Sequence, residues 1–112
     1  MPFINTNTNV KISYEKRLAL KNKLGSAIEI LGKSESWLML SFEDDCKMYF
    51  KGESVPMAFV DVSVFGKSTD EQCEKMTKEV CRIFNDELSI SPENLYVKYS
   101  GSSQWGWNNM NF

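Results

Sequence analysis

The chain has 112 residues, of which 42% are hydrophobic and 25% are charged, and these proportions are typical of one globular domain. The formal net charge is −2, and the lysines and arginines are scattered, which argues against a nucleic-acid partner. No stretch is apolar enough for a membrane span, and polar residues begin at Asn5, so we expect no signal peptide and a cytoplasmic location.

Histidine is absent, and the three cysteines, Cys46, Cys73 and Cys81, have no spacing typical of a metal site or a redox pair. Cys73 and Cys81 are expected on one helix, about 12 Å apart along its axis, which is too far for a disulfide. We therefore expect three reduced thiols, no metal and no cofactor. The lack of histidine also excludes a serine–histidine or cysteine–histidine nucleophile.

In chain order, Phe3 to Thr8 predicts a strand and Asn9 to Ser13 a turn, with Ser13 able to cap a following helix. Apolar residues then recur at helical spacing, and Gly32 stands where a helix commonly ends. This pattern predicts one amphipathic helix of about 18 residues. The apolar run from Trp37 to Phe42 predicts a largely buried strand.

Lys47 to Phe50 is expected to form a short strand before a turn at Gly52, and Met57 to Phe65 is the clearest strand in the chain. Ser68-Thr69-Asp70-Glu71 has the pattern of a capping box, which predicts the start of a second helix. Leu95 to Tyr99 predicts a last strand.

The resulting order is strand, helix, strand, repeated once. Two β-α-β units that place both helices on the same face of one mixed sheet give an α/β fold, a two-layer sandwich, in a single domain over residues 1–112. We expect the other face of the sheet to be bare and apolar, and identical subunits to cover it. No element is predicted for the tail from Gly101 to Phe112, which is rich in Gly, Ser and Asn.

The start of the chain suggests chemistry, because an initiator methionine followed by proline is normally removed and Pro2 would then be the first residue. A terminal proline presents a secondary amine that, as a free base, can accept a proton from carbon. An α-amino group has a reference pKa of about 7.7–8.0, which suits proton transfer near neutral pH. Many proteins have proline after the start codon, however, so this residue alone does not decide.

Short segments along the whole chain carry a more specific signal. They are Pro2-Phe3-Ile4, Thr6-Asn7-Thr8-Asn9-Val10, Gly32-Lys33, Phe65-Gly66-Lys67, Ile90-Ser91-Pro92, Leu95-Tyr96-Val97 and Gly106-Trp107-Asn108-Asn109. In order and spacing they resemble the macrophage migration inhibitory factor family of the tautomerase superfamily. The resemblance implies the tautomerase fold, a homotrimer with sites at the subunit interfaces, and keto-enol tautomerisation of aromatic 2-keto acids such as phenylpyruvate and of dopachrome-type model substrates.

The resemblance also implies roles for single residues. Pro2 would be the catalytic base, and Lys33 and the backbone N–H of Phe65 would hold the carboxylate or oxyanion of the substrate. Tyr96 and Lys98 match positions that a neighbouring subunit contributes. The aromatic mouth of the site would be formed by Trp37, Trp105, Trp107 and Phe112.

Two of these residues have a second explanation. Lys33 is equally well explained as a solvated lysine that complements the C-terminus of the first helix. Trp107 is equally well explained as a packing anchor of the tail. Burial and a nearby cation both disfavour an ammonium, so an apolar pocket flanked by Lys33 is expected to keep more of the Pro2 amine as free base.

The chain departs from the pattern of vertebrate members at Lys98, which replaces an asparagine, at Trp37, which replaces a tyrosine, and at Trp105, which replaces a small aliphatic residue. We therefore expect a microbial or parasite homologue. Thiol–disulfide chemistry is not expected, because the Cys-x-x-Cys segment is missing. One alternative stays open: a cytokine-like protein, released without a leader, that acts by binding a host receptor rather than by catalysis.

Overall fold

The computed structural model describes residues 1–112 and contains two α-helices, one four-stranded sheet and a small C-terminal hairpin. The four strands of the main sheet are β1 (Pro2–Thr8), β2 (Met39–Glu43), β3 (Ala58–Phe65) and β4 (Leu95–Ser102). The helices are α1 (Tyr14–Ala27) and α2 (Asp70–Leu88), and the hairpin strands are β5 (Gly106–Trp107) and β6 (Met110–Asn111). The predicted pair of β-α-β units is confirmed.

The order of strands in the main sheet is β2-β1-β3-β4, and the sheet is mixed. β1 runs parallel to β2 and antiparallel to β3, while β3 and β4 are parallel. Pro2 pairs with Val64 and Thr8 pairs with Ala58. The start of β1 therefore lies beside the carboxyl end of β3.

One hydrophobic core lies between the sheet and the two helices and contains 18 buried residues. Alternate residues of β1 and β3 point into it, as the burial pattern of each strand shows, and Ile4 and Val60 are fully buried. Phe84 of α2 and Leu20 of α1 are also fully buried against the sheet. None of the helices has the length and apolar character needed to cross a membrane.

Both ends of the first helical segment are confirmed. The Ser13 hydroxyl accepts a hydrogen bond from the Lys16 N–H at 3.2 Å and so caps α1. A short 3₁₀ turn, Ile28–Leu31, continues α1 and ends at Gly32, whose φ of 73° lies in the left-handed region.

The capping box of α2 lies one residue later than predicted. Thr69, rather than Ser68, is the N-cap, and its hydroxyl accepts from the Gln72 N–H at 3.1 Å. The Gln72 side chain accepts from the Thr69 N–H at 2.9 Å. Glutamine completes a capping box as well as glutamate does, so the sequence contains two possible boxes, Ser68 with Glu71 and Thr69 with Gln72, and the second one forms.

The predicted strand from Trp37 to Phe42 is wrong at its start. β2 begins at Met39, and Trp37 belongs to a 3₁₀ turn, Glu35–Trp37, which the Ser34 hydroxyl caps by accepting from the Ser36 N–H at 3.1 Å. The strand is also only partly buried, because it lies at the edge of the sheet and pairs with β1 alone.

The predicted strand from Lys47 to Phe50 is absent. Phe50 instead forms a single bridge with Glu53, closed by Lys51 and Gly52, which have φ values of 54° and 77°. Two consecutive residues with positive φ are typical of a tight type I′ turn.

The bare face of the sheet was expected to be apolar, and its centre is polar instead. Asn5 of β1, Asp61 of β3 and Lys98 of β4 stand side by side there, and Lys98 Nζ lies 3.9 Å from an Asp61 carboxylate oxygen. Asn5 also donates to Glu43 at 3.0 Å. The odd-numbered residues of β1 and β3 face away from the helices. They are polar in the middle of the sheet, whereas Phe3, Phe59 and Phe65 stand near the strand ends.

The tail forms the β5–β6 hairpin, which was not predicted. Its turn residues, Asn108 and Asn109, have φ values of 52° and 67°, as a type I′ turn requires. The hairpin closes where the Phe112 N–H donates to the Trp105 carbonyl at 3.1 Å.

Candidate active site

A cleft of about 780 Å³ opens at the end of the sheet where β1 begins. β1 and β3 form its floor, and the segment before β2 and the C-terminal hairpin form its walls. Its lining residues are Met1, Pro2, Phe3, Ser36, Trp37, Leu38, Met39, Ser63, Trp105, Gly106 and Trp107.

Pro2 lies at the base of this cleft and is buried. Proline has no backbone N–H to donate, so it is well tolerated as the first residue of a strand. The Met1 carbonyl, which is joined to the Pro2 nitrogen, accepts a hydrogen bond from the Phe65 N–H at 2.9 Å. The Phe65 N–H therefore points at the group attached directly to the nitrogen of Pro2.

Lys33 contacts the carbonyl group of Phe65, the residue whose N–H bonds to Met1. Its ammonium group donates to the Phe65 carbonyl at 2.9 Å, and the residue is half-buried. An ammonium has three hydrogens, so two remain for another acceptor. Lys33 is therefore held against the end of β3 by a hydrogen bond rather than being freely solvated.

The positive charge of Lys33 also acts on the terminal amine. The pKa of the Met1 amine is lowered from its ordinary value of 8.0, first by burial and second by Lys33. Both causes destabilise the ammonium, so the site favours a neutral amine at this position.

Aromatic side chains form a continuous wall beside the cleft. Trp37 and Trp107 meet edge to face, with ring centroids 4.9 Å apart, and Trp107 stacks on Phe112 at 6.2 Å. Phe112 in turn lies 5.6 Å from the ring of Phe65. Trp107 therefore packs against other aromatic residues, as a packing anchor does, and it also lines the cleft.

Tyr96 does not reach the cleft of its own chain. It pairs with Phe59, which pairs with Asn7, and Asn7 is five residues from Pro2 along β1, or about 17 Å. The Tyr96 ring is 58% exposed and instead packs edge to face against Phe50, with centroids 5.0 Å apart.

Lys98 is also outside the cleft of its own chain. It pairs with Asp61 on the open face of the sheet, and its ammonium is directed to the Asp61 carboxylate. Of the nine residues named from the sequence, four line the cleft: Pro2, Trp37, Trp105 and Trp107. Phe65 and Phe112 contact residues of its lining, and Lys33 contacts Phe65, whereas Tyr96 and Lys98 lie elsewhere.

Sequence reasoning missed several residues of the cleft, among them Phe3, Ser36, Met39 and Ser63. Ser63 could have been found, because it lies two residues before Phe65 in a clear strand and so faces the same side. Met39 could not, since its place depends on its pairing with Phe3 across two strands that are far apart in the sequence.

Known proteins are similar to this chain over its whole length. The model of the family "Macrophage migration inhibitory factor (MIF)" matches residues 1–112. The chain is 28% identical to the macrophage migration inhibitory factor of Rattus norvegicus, with 100% of this chain and 99% of the relative covered.

Solved structures are similar as well. The crystal structure of MIF2 from Leishmania major has a TM-score of 0.94 and 32% identity, covering 100% of this chain and 97% of that chain. The homologue from Prochlorococcus marinus has a TM-score of 0.88 and 25% identity, covering 98% of both chains. These two structures come from a parasite and from a microbe.

Proposed function

This chain belongs to the macrophage migration inhibitory factor family, and we propose that it is a keto-enol tautomerase. Its substrates would be aromatic 2-keto acids such as phenylpyruvate, together with dopachrome-type model compounds, and Pro2 would be the base. The observation that carries the proposal is the hydrogen bond between the Met1 carbonyl and the Phe65 N–H. Removal of Met1 would expose the secondary amine of Pro2 and leave the adjacent Phe65 N–H free to bind another acceptor.

The first step is proton transfer from carbon. The neutral amine of Pro2 takes a proton from the carbon next to the ketone, and the electron pair left behind forms a carbon–carbon double bond while the ketone oxygen becomes negatively charged. The resulting ammonium then gives its proton to that oxygen, which completes the enol. Ketonisation follows the same steps in reverse, so protons and electrons balance without a cofactor.

The substrate's negative charge is the second requirement. The freed Phe65 N–H and the remaining hydrogens of the Lys33 ammonium would bind the carboxylate and the developing oxyanion, because both groups meet at the end of β3. Hydrogen bonds to an ionised group are stronger than neutral ones, and donors fixed by a strand need no rearrangement during the reaction.

The aromatic ring of the substrate would lie against the wall formed by Trp37, Trp105, Trp107 and Phe112. Aromatic pairs favour offset stacked or edge-to-face contacts, and the wall offers both ring faces and ring edges.

A second copy of the chain would complete the site. The family is typically oligomeric, and we assign this protein a homotrimer in which Tyr96 and Lys98 of one subunit reach the cleft of its neighbour. The aromatic cluster that holds Tyr96 lies at the opposite end of the sheet from Pro2. If the Tyr96 end of one sheet contacts the Pro2 end of the next, Tyr96 of one copy would lie beside the cleft of its neighbour.

The test is phenylpyruvate tautomerisation at neutral pH by protein whose first residue has been identified by mass spectrometry. General acid–base catalysis contributes about 10²–10⁴-fold, so the rate should fall by this order in Pro2→Gly and in a form that retains Met1. Pro2→Gly keeps a terminal amine but makes it primary, so it tests whether the secondary amine is required. Full activity with Met1 still attached would exclude Pro2 as the base.

A further inference from the structure

Two segments of backbone come into direct contact where the chain leaves β3. Gly66, the residue after β3, crosses over Gly101 of β4, and a Cβ built on Gly101 would lie 2.3 Å from the Gly66 carbonyl oxygen and 3.5 Å from the Cα of Lys67. Carbon and oxygen atoms in contact are normally about 3.3–3.6 Å apart. Any side chain at position 101 would therefore force the backbone of one segment to move.

The peptide group between Phe65 and Gly66 is held from two sides. Its N–H donates to the Ser102 carbonyl at 2.7 Å, and its carbonyl oxygen accepts from the Lys33 ammonium at 2.9 Å. Gly66 has a φ of 90°, and its own carbonyl oxygen lies over Gly101. The end of β4 therefore fixes the orientation of the carbonyl that holds the Lys33 ammonium.

Lys33 depends on this support because its ammonium is a point charge on a flexible four-carbon stem. The Phe65 carbonyl is the acceptor that holds it beside the cleft. With alanine at position 101, the Gly66 carbonyl would have to move by about 1 Å to restore an ordinary contact. A displacement of about 1 Å in a group that positions the substrate can cost about 100-fold in rate.

We propose that Gly101 is a positioning residue, which lets the connection between β3 and α2 cross β4 and so holds the Lys33 ammonium where the carboxylate of the substrate binds. This inference rests on the proposed tautomerase function and deepens it. It makes selectivity for anionic over neutral 2-keto substrates depend on β4, a strand that does not line the cleft.

The experiment compares kcat/KM for phenylpyruvate and for its methyl ester in wild type from which Met1 has been removed and in Gly101→Ala. The displaced ammonium should lower kcat/KM for the acid by about 10- to 100-fold, mainly through KM, and that for the uncharged ester by no more than a few-fold. Alanine is otherwise favoured over glycine within a strand, so intrinsic propensity cannot cause the loss. In a Lys33→Met background, Gly101→Ala should not change the ratio of acid to ester further.

Ser100→Ala is the matched control. Ser100 precedes Gly101 in β4, is exposed and pairs with Ser63, so its replacement should leave the ratio of acid to ester unchanged. Gly66→Ala changes the same peptide group without a clash, because a Cβ on Gly66 meets no atom within 4 Å. Its φ of 90° is unfavourable for alanine, so relaxation should rotate the peptide and lower the ratio, which keeps the proposal testable if Gly101→Ala does not fold.

The possible outcomes can be told apart. The assignment would be overturned by an equal loss on acid and ester in Gly101→Ala, by a lower Tm with an unchanged ratio, or by a further fall in the ratio when Gly101→Ala is added to Lys33→Met. Absence of activity with both substrates in wild type without Met1 would contradict the proposed function itself, and this inference with it.

Discussion

Replacement of Lys33 by methionine tests the carboxylate site most directly. The side chain keeps nearly its length, but the ammonium that bonds the Phe65 carbonyl at 2.9 Å is lost. Of its three hydrogens one serves Phe65, so up to two serve the substrate. A hydrogen bond to a charged group contributes about 1.5–3 kcal/mol, which predicts a fall in kcat/KM for phenylpyruvate of about 10- to 150-fold in Lys33→Met.

The assay needs one control protein and one control substrate. Lys67 also follows a glycine but is exposed and lies outside the cleft, so Lys67→Met should keep wild-type activity. The methyl ester of phenylpyruvate lacks the carboxylate charge, and with it the loss in Lys33→Met should shrink to a few-fold. Circular dichroism of both variants checks that the fold is kept.

Two results would refute this reasoning. An equal loss on the acid and the ester would mean that Lys33 does not bind the carboxylate. An equal loss in Lys67→Met would mean that lysines near the cleft act by long-range attraction of the anionic substrate, not through a hydrogen bond from Lys33.

Three further predictions follow from the same structure. The Pro2 amine must be neutral to act. Burial and Lys33 lower the pKa of the neighbouring Met1 amine, and both causes should act in the same direction on Pro2 once Met1 is removed; kcat/KM should therefore fall toward acidic pH, and Lys33→Met should move that fall to higher pH, as a pH–rate profile would record. Tyr99, whose pKa is raised to about 12 mainly by burial, joins Thr77 at 2.8 Å and the Cys73 carbonyl at 3.0 Å; Tyr99→Phe should lower the free energy of unfolding by about 1–2 kcal/mol in urea denaturation. Asn109→Val should disturb the hairpin turn and reduce activity several-fold with little change in Tm, whereas Asn109→Gly should be tolerated, because the φ of 67° disfavours a β-branched residue.

The sequence predicted the fold best where periodicity was long and clear. β3 and α2 carry regular apolar patterns, and the caps at Ser13 and Gly32 mark the ends of the first helical segment. Prediction was poorest at the edge of the sheet, since the start of β2 depends on its pairing with β1. The hairpin was missed although Asn108-Asn109 is a recognisable turn signal.

The candidate site could be predicted only in part, and for a physical reason. Family-like segments pointed to Pro2, Lys33 and the aromatic residues that the fold gathers at one cleft. The neighbours Met39 and Ser63 come to Pro2 through strand register, which local patterns do not encode. Which residues a second copy supplies is not contained in the geometry of a single chain.

The polar centre of the open sheet face has a consequence for how copies can associate. Asn5 and Asp61 remain hydrated when exposed, so pressing two such faces together would strip water from an amide and a carboxylate and gain little free energy. Copies arranged around this face would instead enclose a water-filled interior. The attraction between them must then come from the rims, where β2 and β4 each leave one edge of backbone donors and acceptors unpaired.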